Sequence, residues 1–228
     1  MISSDHILFA FSLLGLFLVP AVLGRAVWAI PAGLAGVSLF ILFAPANLHP
    51  HNNPWVHLLL SQGPWMLLVL DLVCRGNISR LLGPVSLRAW LAFALFRFMG
   101  LRFIVAAITG DLNPTFAVEA ATGEFFAALG ALILWAFYRP ESRWYRGLLI
   151  FWNTYALIVS LTLNFRILRA DGNLPFTAGY ASREVHAYFA TWPNALDAYF
   201  WIPLSIGIHA AIFYTLVRNT RAETPAPD

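Results

Sequence analysis

Two arginines and two glutamates interrupt an otherwise apolar stretch in the middle of the chain. Arg97 and Arg102 are five residues apart, and Glu119 and Glu124, also five apart, follow after turn-forming residues 110–114. One arginine at the centre of a membrane costs about 2.5–3.5 kcal/mol, and an unpaired buried carboxylate would be neutralised by a proton. The pattern therefore predicts a helical hairpin with opposite charges at matching depths. We expect Arg97 to lie nearest Glu124. We expect Arg102 to bridge both glutamates.

Three interpretations of this charged hairpin remain open at the level of sequence. The first is a polar cavity, open to the outside, that binds, senses or transports an ion or small molecule. The second is an ion-pair network that only fixes the register of the helices. The third is a contact with another membrane protein or a second copy of the chain, as in an accessory subunit of a larger complex. Buried charges in membrane helices face the bundle interior, a cavity or a partner, so each interpretation suits them.

Polar residues in later apolar stretches add to the candidate site. His209 is either a buried neutral side chain with one hydrogen bond or a group that exchanges protons with a carboxylate. Asn153 and Arg166 lie at depths compatible with the hairpin. The predicted ligand-binding residues are Arg97, Arg102, Glu119, Glu124, Asn153, Arg166 and His209.

Four histidines suggest an alternative metal site at the outer face. His49, His51 and His57 follow an H-x-H-x5-H spacing, and His186 lies in a later outer segment. Neutral imidazoles, together with a carboxylate from Glu184 or Asp197, are ligands that Zn²⁺ and Cu²⁺ accept. An outer-face metal-dependent enzyme therefore remains an alternative. Because nucleophile elbows, P-loops and dinucleotide fingerprints are absent from the sequence, a non-enzymatic role without a cofactor is favoured.

The composition requires a membrane to position these residues. The 228 residues are 60% hydrophobic and 11% charged, with a mean hydropathy of +0.71, which is typical of a polytopic α-helical membrane protein. The chain contains no lysine, which excludes a retinal Schiff base, and its arginines are too dispersed for nucleic-acid binding. The single cysteine, Cys74, excludes an intramolecular disulfide.

Apolar runs predict an all-α transmembrane bundle of seven spans in one domain, residues 1–218. The first span is interpreted as retained, because no basic segment precedes it. An outer segment, 168–196, precedes the last span, and residues 219–228 form a polar, disordered tail. The predicted spans are 7–24, 28–45, 55–74, 89–109, 115–138, 146–167 and 197–217.

The distribution of arginine predicts the orientation. Arginines follow the first, third, fifth and seventh spans, whereas the opposite loops contain only Arg169 and Arg183 against five acidic residues. Because cytoplasmic loops are enriched in arginine, the N-terminus is expected outside and the C-terminus in the cytoplasm. The expected location is the bacterial inner membrane, where the spans would contact lipid as a multi-pass protein.

The second half of the outer segment has the pattern of a short amphipathic helix. Val185, Tyr188, Phe189 and Trp192 fall on one side of it. This helix is either a lid over the site or part of the aromatic belt at the membrane surface.

The chain contains the patterns R-x-x-G-x-x-F from Arg97, A-x-x-G from Ala120 and P-x5-H from Pro203. With these patterns, residues 90–215 resemble a group of bacterial multi-pass membrane proteins of unknown function. The resemblance implies a helical membrane fold and brings no activity with it. Two positions depart from the group: Glu124 stands where aspartate is more usual, and no acidic residue follows Trp152–Asn153 closely. The residues that carry the resemblance are Arg97, Gly100, Phe103, Gly110, Leu112, Pro114, Phe116, Ala117, Ala120, Gly123, Trp152, Asn153, Pro203 and His209.

Overall fold

The computed structural model describes residues 29–43, 55–56, 59–63, 66, 70, 85–170, 183–191 and 193–222. Within these residues the chain is all-α. A 3-10 segment, Leu95–Leu101, joins two α-helices of the hairpin's first arm, and a π-helical turn, Asp197–Trp201, leads into the last α-helix. The α-helices are α1 (Ala29–Phe43), α2 (Leu87–Ala94), α3 (Arg102–Thr109), α4 (Pro114–Ala136), α5 (Arg143–Ala170), α6 (Arg183–Ala190) and α7 (Ile202–Ala222).

Four helical stretches of the described chain are long and apolar enough to cross a membrane. They agree with the fourth to seventh predicted spans, and many of their outward side chains, such as Phe151, are apolar and exposed, as lipid contact requires. α1 lies within the predicted second span, the third span is described only in part, and the first lies outside the described residues. The four stretches are Leu87–Thr109, Pro114–Ala136, Arg143–Arg169 and Asp197–Val217.

The turn of the hairpin forms where turn residues were expected. Gly110 ends α3 with a φ of 84°, a left-handed conformation that favours glycine. Asn113 caps α4, because its side-chain oxygen accepts hydrogen bonds from the backbone N–H groups of Thr115 (3.0 Å) and Phe116 (3.2 Å). Pro114 occupies the first turn of α4, where no backbone donor is needed. The two arms of the hairpin, Leu87–Thr109 and Pro114–Ala136, are therefore antiparallel neighbours.

Small residues bring α4 close to the helices around it. Alanines at 117, 120, 121, 127, 128 and 131 are buried along one side of α4. Small side chains at this spacing let helix backbones approach closely, which is how helices associate inside lipid. Gly130 lies against the indole of Trp152 from α5, whose Nε1 donates to the carbonyl of Ala127 at 2.8 Å.

A polar layer separates two apolar clusters in the bundle. One cluster surrounds the hairpin turn and contains Phe103 and Phe116, and the other contains Trp90 and Leu149. Each of the four long helical stretches contributes to both clusters and carries a buried polar residue at the boundary between them. These boundary residues are Arg97, Glu124, Ser160 and Ser205.

The outer segment contains the short helix that its pattern predicted. α6 buries Val185, Tyr188 and Phe189, whereas Trp192 lies outside the described residues. The rings of Tyr188 and Phe189 make edge contacts with Phe103, at centroid distances of 6.4 and 6.1 Å. α6 is thus packed against the hairpin through these aromatic rings.

Candidate functional site

Arg97 is the centre of the polar layer, with only 1% of its surface exposed. Its Nη2 donates to Glu124 Oε1 at 2.9 Å, which confirms the expected ion pair between the two arms. Four acceptors surround Nη1, which has only two hydrogens, so these bonds are shared. The acceptors are Ser205 Oγ (2.7 Å), Ser160 Oγ (2.8 Å), His209 Nε2 (2.8 Å) and the carbonyl of Ala156 (3.2 Å).

Gly100 makes the ion pair geometrically feasible. It lies one helical turn after Arg97 and faces Glu124 directly. A Cβ at this position would overlap Glu124 Cβ and lie 2.7 Å from its Cγ. The absence of a side chain at Gly100 therefore gives the carboxylate its path to the guanidinium of Arg97.

The partners of His209 define its tautomer. Asn153 Nδ2 donates to the backbone carbonyl of His209 at 3.0 Å, which orients the amide so that its Oδ1 lies 2.7 Å from His209 Nδ1. Oδ1 can only accept, so Nδ1 must carry the hydrogen. Arg97 can only donate, so Nε2 must accept. His209 is therefore a neutral acceptor for Arg97, and this arrangement does not favour the proton-relay alternative.

We predict that the imidazole of His209 is the neutral Nδ1–H tautomer, since both of its neighbours require that form. The ¹⁵N chemical shifts of selectively labelled protein at neutral pH should show a protonated Nδ1 and an unprotonated Nε2. Asn153→Leu should shift the Nδ1–H resonance, because it removes the acceptor for Nδ1, but Nε2 should stay unprotonated, since Arg97 still donates to it. A dominant Nε2–H form in the unaltered protein would contradict this network.

Arg102 has a second set of partners, and they are not the ones expected. It forms an ion pair with Asp197 and donates to Tyr188 Oη at 2.7 Å and Asn194 Oδ1 at 2.9 Å. Its guanidinium also lies 4.7 Å from the ring centroid of Phe103. The prediction that Arg102 bridges the two glutamates is wrong. Asp197 supplies a buried acid, and Tyr188 and Asn194 supply two neutral acceptors, in place of the glutamates.

The remaining charges of the predicted cluster pair away from the polar layer. Glu119 pairs with Arg166 of α5, and both side chains are nearly half exposed. This pair borders an open groove of about 300 Å³ between α4 and α5. The hairpin therefore carries one buried pair within itself and two pairs with other helices.

Of the seven predicted residues, the structure brings together Arg97, Glu124, Asn153 and His209, places Arg102 at the next turn, and separates Glu119 and Arg166.

A small cavity lies between the two buried arginines. The space open to the centre of a water-sized sphere is about 30 Å³, enough for one or two water-sized ligands. Two residues of its wall, Arg97 and Trp201, each carry a buried donor atom, Nε and Nε1 respectively, that has no hydrogen-bond partner in the described part of the chain. Further wall residues are Gly100, Arg102, Glu124, Ser160, Asp197 and Ser205. The polar layer thus contains a small cavity in addition to its ion pairs.

Sequence reasoning missed several members of this site. Asp197 was counted among the outer charges, although it is buried and paired with Arg102. The signal was available, because a buried arginine needs an acid at its own depth and Asp197 begins the last span on the same side as Arg102. Ser160, Ser205, Asn194 and Tyr188 gave no such signal, since serines and tyrosines are common in membrane helices without a site.

The metal hypothesis falls on residues whose side chains the structure does not describe. His49, His51 and His57 lie outside the described residues, and so does the side chain of His186. Among the described residues, no group of three histidine, cysteine, aspartate or glutamate side chains could hold a metal ion. Of the proposed carboxylate ligands, Asp197 is engaged by Arg102, and Glu184 accepts from Asn113 at 3.3 Å.

Comparison with known proteins identifies a family. Residues 53–217, more than half of the chain, match the family model described as Domain of unknown function (DUF8737), and the chain belongs to this family. The matched region contains the hairpin, the cavity and all four long helical stretches. No curated protein and no solved structure matches the chain.

Proposed function

We propose that this DUF8737 protein is a multi-pass inner-membrane protein that binds an ion or small molecule in the cavity between Arg97 and Arg102, and that it serves in sensing or transport. Binding from the outer side follows from the predicted orientation, with the hairpin turn outside. The small volume of the cavity limits the ligand in this proposal to one or two heavy atoms.

The observation that carries this proposal is a cavity lined by unused hydrogen-bond donors. Burying an N–H group without an acceptor costs about 1–3 kcal/mol, and helical membrane proteins keep buried polar groups mainly where they have a role. A structural network would be expected to close around its own groups. Here Arg97 Nε and Trp201 Nε1 remain without an acceptor among the described residues, next to open space.

The position of α6 suggests how a ligand would be admitted. Tyr188 of α6 accepts from Arg102, and Asn194 in the following turn does the same. Both belong to the outer segment, for which a lid was one of the two interpretations. Movement of α6 away from the hairpin would therefore expose the Arg102 side of the cavity. In this proposal α6 is the gate between the outer surface and the site.

The proposal predicts that a small ligand stabilises the purified protein. At a ligand concentration 100 times the dissociation constant, binding adds about 2.7 kcal/mol, which raises the midpoint of thermal unfolding by about 5–10 °C in a chain of this size. The measurement is thermal unfolding in detergent against a panel of small anions, cations and neutral polar molecules at constant ionic strength.

A matched pair of variants tests whether the response comes from the cavity. Ser205→Thr retains a hydroxyl and adds a methyl group at the cavity wall, so the stabilisation should shrink. Ser142→Thr makes the same change before α5, away from the cavity, and should respond as the unaltered protein does. If no panel member stabilises the unaltered protein, the binding proposal fails.

A second candidate function is an accessory subunit of a larger membrane complex. The observation that favours it is that both buried arginines have acidic partners within the chain, which is sufficient to fix the helix register without any ligand. This alternative predicts a flat response to the ligand panel and co-purification of a partner protein. The metal-enzyme alternative rests on histidines outside the described side chains, and metal analysis of the purified protein would test it.

A further inference from the structure

We propose that the cavity between Arg97 and Arg102 binds a single compact anion of the halide class, such as chloride, held by Arg97 Nε and Trp201 Nε1. This inference rests on the proposed function and names the ligand class for the same site. Both donor side chains are more than nine-tenths buried, at 1% and 4% exposure, and both line the one cavity.

The unpartnered donors of the wall residues restrict the type of ligand. Arginine and tryptophan side chains carry donors only, so the unused groups in the wall require an acceptor. Cations have no acceptor function, so they cannot satisfy these donors. The hydroxyls of Ser160 and Ser205 already interact with Arg97 and with each other, at 2.9 Å between their oxygens. A ligand that only accepts hydrogen bonds therefore fits this wall better than one that must also donate.

The volume of the cavity restricts the size of the ligand. A cavity open to about 30 Å³ of water-sphere centres holds one or two water-sized bodies. Phosphate, sulfate and carboxylate ligands have too many heavy atoms for this space, whereas a halide ion is only slightly larger than water. The rings of Phe96 and Phe103 and the side chain of Met99 complete the wall, and an apolar border suits a weakly hydrated anion.

The charged groups around the cavity are balanced. The two carboxylates nearest the cavity, Glu124 and Asp197, are each engaged by a different arginine. With all four groups ionised, the wall is neutral overall, and its unused hydrogens provide the local positive potential. The remaining titratable groups facing Glu124 are Tyr155 of α5 and, beyond Arg97, His209 of α7. Removing the charge of Glu124 should consequently favour an anion.

The test is the binding of radioactive chloride to the purified full-length protein in detergent. Trp201→Phe removes the indole N–H and retains an aromatic ring against Phe96 and Phe200, so chloride affinity should fall about tenfold or more. Trp90→Phe is the matched control. Trp90 Nε1 is also buried without a partner in the described chain but lies outside the cavity wall, so its loss should leave chloride affinity unchanged.

Glu124→Gln tests the sign of the ligand charge. Replacing a carboxylate beside the cavity by a neutral amide should strengthen chloride binding, whereas it would weaken the binding of a cation. Bromide soaked into crystals should give an anomalous signal between Arg97 and Trp201. Unchanged chloride affinity in Trp201→Phe would overturn the assignment of the site, even if chloride binds.

The outcomes separate the two proposals. If a cation or a neutral molecule stabilises the protein through the cavity and chloride does not bind, the anion inference fails and the proposed function stands. If neither chloride nor any other panel member binds, so that water alone fills the cavity, both fail. Should chloride bind with the expected dependence on Trp201 and Glu124, both are supported.

Discussion

Replacing Arg102 by methionine should lower the free energy of unfolding by about 3–5 kcal/mol, because Asp197 would then be a buried charge without its partner. Asp197→Leu should cost a similar amount for the complementary reason. The double variant should recover most of this loss, since a buried ion pair replaced by apolar residues of similar volume is often close to neutral. Unfolding by SDS in mixed micelles measures all three variants.

The pair between Glu119 and Arg166 provides the matched control. Its side chains are 48% and 44% exposed, so water and headgroups can solvate either charge alone. Arg166→Met should therefore change the free energy of unfolding by about 1 kcal/mol or less. Equal losses in Arg102→Met and Arg166→Met would contradict the assignment of Asp197 and Arg102 as the buried pair.

Gly100→Ala should destabilise the protein by at least about 2 kcal/mol, combining overpacking with damage to the Arg97–Glu124 pair. The added methyl would overlap Glu124 Cβ, an atom fixed to the backbone of α4. No rotation of the glutamate side chain can relieve this overlap, so the two arms of the hairpin must separate. The loss is measured by the same unfolding titration.

Gly147→Ala is the control for this substitution. A Cβ at Gly147, in the first turns of α5, meets no atom within 4 Å. Exchanging glycine for alanine inside a helix without a clash should stabilise it by up to about 1 kcal/mol. A Gly100→Ala variant as stable as Gly147→Ala would show that the arms of the hairpin are not in close contact there.

The elements of the hairpin could be predicted from sequence because their signals are local. Apolar length gave the four long helical stretches, and Gly110 and Pro114 gave the turn. The pairing of Arg97 with Glu124 followed from depth alone, since both lie near the middle of adjacent antiparallel arms. The depth of a residue in the membrane follows from its distance along the helix, and this distance can be read from the residue number.

The partners of Arg102 could not be predicted in the same way. By depth alone, either glutamate could pair with Arg102. The choice among neighbours at equal depth depends on the direction in which the arginine side chain points from its helix. The 3-10 segment Leu95–Leu101 changes that direction, because it turns by about 120° per residue instead of 100°. No proline marks the 3-10 segment, whereas the π-helical turn that carries Asp197 is followed two residues later by Pro203, which lacks the backbone N–H of a regular helical hydrogen bond. Helix irregularities therefore decided the pairing.

The distance along the chain between Arg102 and Asp197 has a consequence for biogenesis. Glu124 follows Arg97 within the same hairpin, whereas Asp197 is synthesised nearly a hundred residues after Arg102. At about 5–20 residues per second, translation delivers this acid roughly 5–20 s after the arginine. During that interval Arg102 has entered the nascent bundle without its counter-ion. Docking of the last helix is then the event that brings Asp197 to Arg102 and completes the ion pair.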